Sequence, residues 1–108
     1  MADITEILDK LLERTTQGKV PWKSTAGEQT FVAVIGNLSV MILRDAGHQP
    51  ALKILDKSGR EIDVLDADRS EGRKWREDLW RLHEEARRVA LDIGTQLDEL
   101  LKELEKDA

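Results

Sequence analysis

Residues 29–44 read QTFVAVIGNLSVMILR, two β-branched, apolar runs joined by Gly36-Asn37. A Gly-Asn pair between two such runs favours a tight primed turn, because the glycine supplies a positive φ at no steric cost. The stretch therefore predicts a β-hairpin, and it fixes the chain as one that contains a sheet. Residues 51–56 (ALKILD) and 60–65 (REIDVL) flank Lys57-Ser58-Gly59 and predict a second hairpin. Together the four runs describe an antiparallel meander over 29–65.

Alternation assigns the faces. Phe31, Ala33, Ile35, Leu38, Val40, Ile42, Leu52, Ile54, Ile62 and Val64 are expected on one face. Val32, Val34, Met41, Leu43, Leu55 and Leu65 fall on the other, mixed with Ser39, Lys53, Glu61 and Asp63. A meander with one solvated face carries polar residues there. Here the first two strands are apolar on both faces, so the second face is expected to be covered by a helix or by another copy of the chain.

Helices flank the meander. Over residues 3–17, Ile4, Ile7, Leu8, Leu11 and Leu12 form one apolar face, Asp3 is the expected N-cap with Glu6 three residues on, and Gly18 is the expected left-handed stop. Pro21 makes Val20 extended, and Trp22 is expected to plug the gap between this helix and the sheet. After a polar connection at 66–72, a stripe runs through Trp75, Leu79, Leu82, Ala86, Val89, Ile93, Leu97, Leu100 and Leu104 in steps of three or four. An unbroken helix over that span measures about 45 Å. A compact chain of this size has a radius of gyration of only ~13 Å. The region 70–106 must break, with Asp92-Ile-Gly-Thr95 the candidate site and Thr95 a candidate cap, or else protrude toward a partner. Trp75, on the stripe, is expected in the core. The expectation is a single α+β domain over 1–108: an N-terminal helix, a four-stranded antiparallel meander, and a long or broken C-terminal helical region.

Composition narrows function. The 108 residues carry 36% charged side chains, a net charge of -5 and no cysteine, which excludes disulfides and thiolate metal sites. No apolar run approaches the ~18 residues of a membrane span. The N-terminal MADITE has neither a basic nor an apolar signal region, so no signal peptide is expected and a cytoplasmic setting is. The acidic balance disfavours a generic nucleic-acid binder. The charge is uneven, though: residues 69–88 hold seven Lys/Arg against five acids, and residues 89–108 hold two against six. That asymmetry favours antiparallel or intermolecular pairing of helical segments.

No catalytic pattern emerges. His48 reads as a loop residue and His83, beside the stripe, as a boundary or hydrogen-bonded core histidine; neither has metal-ligand spacing. Ser24, Ser39, Ser58 and Ser70 lack a nucleophile elbow, and no glycine loop is built to cradle phosphate. No catalytic residue, cofactor or metal is expected, and the chain is read as a non-enzyme. Trp80 is the exception to blandness. It lies ~140° around the wheel from Trp75, among Arg73, Arg76, Glu84 and Arg87. Trp and Arg dominate binding hot spots, and they also stack on single-stranded bases. Trp80, Arg73, Arg76 and Arg87 are thus the candidate partner-binding residues. The leading expectation is a homodimeric protein–protein interaction module; the alternative is a nucleic-acid-binding regulator using the basic segment from Arg69 to Arg88, and a buried Trp80 is the plain structural reading.

The pattern Leu11-Leu12-Glu13-Arg14-Thr15, Gly18, Trp22, Phe31-Val32-Ala33, Ile35-Gly36-Asn37, Ser39-Val40 and Ile42 resembles a set of small uncharacterised bacterial proteins in which a helix precedes a β-meander. The likeness continues in residues 86–91 (ARRVAL) and 97–104 (LDELLKEL). It implies a free-standing bacterial domain and no mechanism. Gly94 departs from that set, where a polar or acidic residue is expected. The helix–strands–helix order also resembles double-stranded-RNA-binding domains, with Arg69, Arg73 and Lys74 placed like their basic cluster. The acidic net charge and the fourth strand depart from that pattern.

Overall fold

The structure, a computed structural model, describes residues 3–27, 29–44, 49–67 and 73–106. Helix α1 (Ile4–Thr16) leads into five strands, β1 (Lys23–Ser24), β2 (Thr30–Ile35), β3 (Leu38–Leu43), β4 (Ala51–Leu55) and β5 (Glu61–Asp66), followed by α2 (Arg73–Ala90) and α3 (Ile93–Lys106). The sheet is antiparallel in sequence order, β1-β2-β3-β4-β5. The α+β class therefore holds, with five strands in place of four. The extra strand is a two-residue edge piece pairing Lys23 with Val32 and Ser24 with Phe31. Two residues are too few for alternation to register in sequence.

Local chemistry explains the boundaries. The Asp3 carboxylate accepts the Thr5 amide at 2.9 Å and the Glu6 amide at 3.1 Å, satisfying two of the free donors at the start of α1. At the other end Gly18 takes φ 72°. The Lys19 amide then reaches the Arg14 carbonyl and the Gly18 amide the Thr15 carbonyl, both at 3.0 Å, the paired bonds of a Schellman stop. In the first hairpin Ile35 pairs with Leu38, and φ is positive at Gly36 (63°) but not at Asn37, the signature of a type II′ turn. In the second, one Asp56 oxygen accepts from the Ser58 amide, the Ser58 hydroxyl and the Arg60 amide.

Both α1 and α2 lie on one face of the sheet and share its core. Leu8, Leu11 and Leu12 of α1 meet Leu79, Leu82 and Ala86 of α2 over Phe31, Ala33, Val40, Ile42, Leu52 and Ile54. Trp22 plugs this layer as expected, and its indole N–H donates to the Thr15 hydroxyl at 3.0 Å. That bond accounts for a buried threonine on the apolar side of α1.

Three expectations need correction. In β5 the inward residue is Leu65, opposite Leu52, while Ile62 is exposed and Val64 pairs with Lys53. Ile54 pairs with Asp63 but Leu55 with Glu61, so Ile62 is an extra residue and the bulge reverses the phase. Second, among the described residues no helix of the chain itself covers the opposite face of the sheet, which corrects the helix branch of that expectation: Val34 and Ile62 there are exposed, and Val32, Met41, Leu43 and Leu55 are only half-buried. Third, Trp75 is not core. It is 36% exposed, because it lies one turn outside the buried span of α2, which runs from Leu79 to Ala86.

The C-terminal region is broken within the expected window, at Asp92, and Thr95 is not its cap. Asp92 turns left-handed (φ 52°), and its amide bonds back to the Val89 carbonyl at 3.2 Å. It stops α2 as Gly18 stops α1. Gly94 and Thr95 lie inside α3. The molecule is correspondingly long, 56 × 30 × 25 Å with a radius of gyration of 15.5 Å.

Candidate functional site

The open end of the β2–β3 hairpin carries the first constellation. The Gln29 carbonyl accepts the Arg44 amide at 3.2 Å and the His83 Nε2–H at 3.0 Å. A carbonyl only accepts, so the tautomer of His83 carries its proton on Nε2. The ring packs 5.5 Å from Phe31. Burial holds the imidazole below its usual range; the charges of Arg44 and Arg87 push the same way, against the Gln29 bond and Glu84. His83 is thus a hydrogen-bonded core histidine that pins α2 to the hairpin. His48 lies outside the described residues.

One turn back, Trp80 is 38% exposed, and the Arg44 guanidinium lies over its ring, 4.5 Å from the centroid. The residue is neither core nor free. One side rests on the body, the other faces solvent under a cationic lid. Trp75 and Arg76 are exposed on the same helix. Arg87 is half-buried, 3.6 Å from Glu84, which also meets Arg88 at 3.8 Å. Arg73 opens α2; its side chain, that of Lys74, and all of Arg69 lie outside the described residues. Of the four candidate residues, the structure brings Trp80, Arg76 and Arg87 onto one face of α2, where Arg44, from the sheet, joins them. Sequence spacing on α2 gave no sign of Arg44, since its place comes from the tertiary fold.

The second feature is α3. None of its side chains is buried, and Leu97, Leu100, Leu101 and Leu104 are 53%, 55%, 55% and 65% exposed. A 14-residue helix in isolation is marginal in water, so such a stripe calls for a cover. The third feature is a groove of about 490 Å³ beside α1, which sequence analysis missed. Val40 and Ile54 form its floor, Ile7 and Leu11 one wall, and Ile35 and Leu38 at the hairpin tip the other. Lys10, Arg14 and Lys19 also line it. The only sequence signal was Ile7, an apolar residue on the α1 stripe that the body leaves exposed.

Among the described residues no group of three His, Asp or Glu is placed to hold a metal ion, and no helix is long and apolar enough to cross a membrane. The fold and these surfaces define a two-layer α+β body with a projecting amphipathic helix. Compared with known families, with curated proteins and with solved structures, the chain gave no match.

Proposed function

We propose that this chain is a non-enzymatic protein–protein interaction module that works as a homodimer. The carrying observation is the uncovered stripe of α3, four exposed leucines on a helix none of whose side chains is fully buried. Leucine surface of this extent gains by leaving water at roughly 25 cal/mol per Å². A contiguous patch of that kind marks an association surface. The face of α2 that presents Trp80, Arg76 and Arg87, with Arg73 at its start, is the proposed surface for a further protein partner, since half-exposed Trp beside Arg is the composition of a hot spot. A bacterial cytoplasmic setting belongs to the same proposal: the resemblance supplies the bacterial part, and the cysteine-free composition is compatible with a reducing cytoplasm.

The test is the particle mass by light scattering at tens of micromolar. A dimer supports the reading, and a monomer across the range removes it. Oligonucleotide titration settles the partner class. Tight binding at physiological salt that weakens steeply with added salt would move the assignment to nucleic acid.

A further inference from the structure

We propose that the groove between α1 and the tip of the β2–β3 hairpin seats helix α3 of a second copy, the two copies exchanging these helices about a twofold axis. This rests on the self-association proposed above and names the surfaces that make it.

The two surfaces match in chemistry. The groove has an aliphatic floor, exposed aliphatic side chains at Ile7, Ile35 and Leu38, and three cations, Lys10, Arg14 and Lys19. Lys10 shares its charge with Glu13 at 3.3 Å; no ion pair is formed by Arg14 or Lys19 among the described residues. On α3, counting about 100° per residue from Leu97, the four leucines fall within roughly 100° of one another. Asp98 and Glu105 flank that stripe on one side and Glu103 on the other. Lys102 and Lys106 lie on the back, where Lys106 also meets Glu103 at 3.0 Å. An apolar helix with acidic edges is what an apolar groove with basic walls receives.

The geometry of the break argues for a second copy rather than the chain's own groove. The left-handed Asp92 sets the exit of α3, and the start of α3 is tied to it: the Gln96 amide bonds to the Asp92 carbonyl at 3.2 Å, and the Gln96 carboxamide donates to the Leu91 carbonyl. These bonds fix the start of α3, and none of its four leucines joins the core. A groove-to-helix contact joins two different patches, so without closure it would propagate into open chains. Reciprocal exchange closes it at two copies and makes the contact twice.

Three proteins test this by sedimentation at 1–100 μM: wild type, Arg14→Glu/Lys19→Glu in the groove, and Leu100→Asp/Leu101→Asp on the stripe. All four positions lie at the surface or groove rim, and circular dichroism verifies the fold of each. The expected result is a wild-type dimer whose dissociation constant rises at least tenfold in each variant. An equimolar mixture of the two variants then recovers a heterodimer, because one intact helix meets one intact groove. Adding Asp98→Lys/Glu103→Lys to the groove variant restores its self-association. A wild-type dimer that the groove variant leaves untouched overturns the exchange, by pairing α3 with α3 or using the sheet face, while the homodimer reading stands. A wild-type monomer overturns both, as does a groove variant that alters only the stability of a monomer, which places α3 in its own groove.

Discussion

Replacing Trp80 by alanine measures how one side chain is divided between fold and surface. Truncating a fully buried Trp costs about 3–5 kcal/mol. Trp80 is 38% exposed, so roughly three-fifths of that cost applies, or about 2–3 kcal/mol. The guanidinium of Arg44, 4.5 Å above the ring, belongs to this sum; at a half-exposed site such a contact is worth about 0.5–1 kcal/mol. The assay is urea unfolding followed by circular dichroism at a few micromolar, where association contributes least, with linear extrapolation to water. A double-mutant cycle with Arg44→Ala isolates the pair, because whatever else each single change removes cancels in the coupling energy. Coupling of about 0.5–1 kcal/mol is expected. A total loss below about 1 kcal/mol would show a ring held only by its partner. A loss above about 4 kcal/mol would show a core residue. Either result refutes the division argued from the structure. Partner binding by Trp80→Ala is therefore read only under conditions where the variant is still folded.

Leu79→Ala and Val40→Ala each remove a buried side chain from the shared core and should cost on the order of 2–5 kcal/mol in the same assay; a loss under 1 kcal/mol would mean the faces are misassigned. Gly94 sits inside α3 at ordinary helical φ with open space where a Cβ would lie. Gly94→Ala should therefore stabilise α3 by about 1 kcal/mol and raise the helical signal, and an unchanged spectrum would count against a stable α3. For His83 the sign runs with pH. Its folded pKa lies below the usual 6.5, so between the two values the unfolded chain binds the extra proton. Stability is full above that range and falls as pH drops from about 7 through 6.5 toward the folded value. His83→Gln should flatten the melting temperature between pH 7 and 5, and equal slopes in the two proteins would exclude His83 as the cause.

What was legible in the sequence was local. The Gly36-Asn37 turn, the Asp3 cap, the Gly18 stop and the Trp22 plug each follow from a few neighbouring residues whose conformational limits are strong. The errors lie where a distant contact decides. Alternation placed Ile62 and Val64 inward because the bulge opposite Ile54 and Leu55 depends on the pairing of two strands. The window Asp92-Ile-Gly-Thr95 located the break, but Thr95 does not cap it; Asp92 takes the left-handed turn, which short polar side chains tolerate. Trp75 matched the azimuth of Leu79, but periodicity does not say where along a helix the body ends. The groove and the position of Arg44 over Trp80 join segments far apart in sequence, and no spacing rule reaches them.

Besides the groove, the described residues leave two apolar surfaces uncovered, the open face of the sheet and the stripe of α3, and their charge placement tells them apart. The open face of the sheet carries a row across the strands, Lys23, Val32, Met41, Lys53 and Val64. Lys53 sits mid-row, its ammonium 3.5 Å from Glu61 and about a third exposed. Stacking another sheet or helix there would strip water from that pair, at a cost the Coulomb attraction often fails to recover. A lysine in the middle of a largely apolar face thus holds it open to solvent and guards against sheet-to-sheet aggregation. The stripe of α3 has no charge between Leu97 and Leu104 on its apolar side, and the groove keeps its cations off the aliphatic floor. Burying these two surfaces against each other desolvates hydrocarbon and leaves the charges at the margin, where opposite signs meet in water. The same apolar content therefore has opposite consequences: exposure is tolerated on the sheet, while on α3 it favours association.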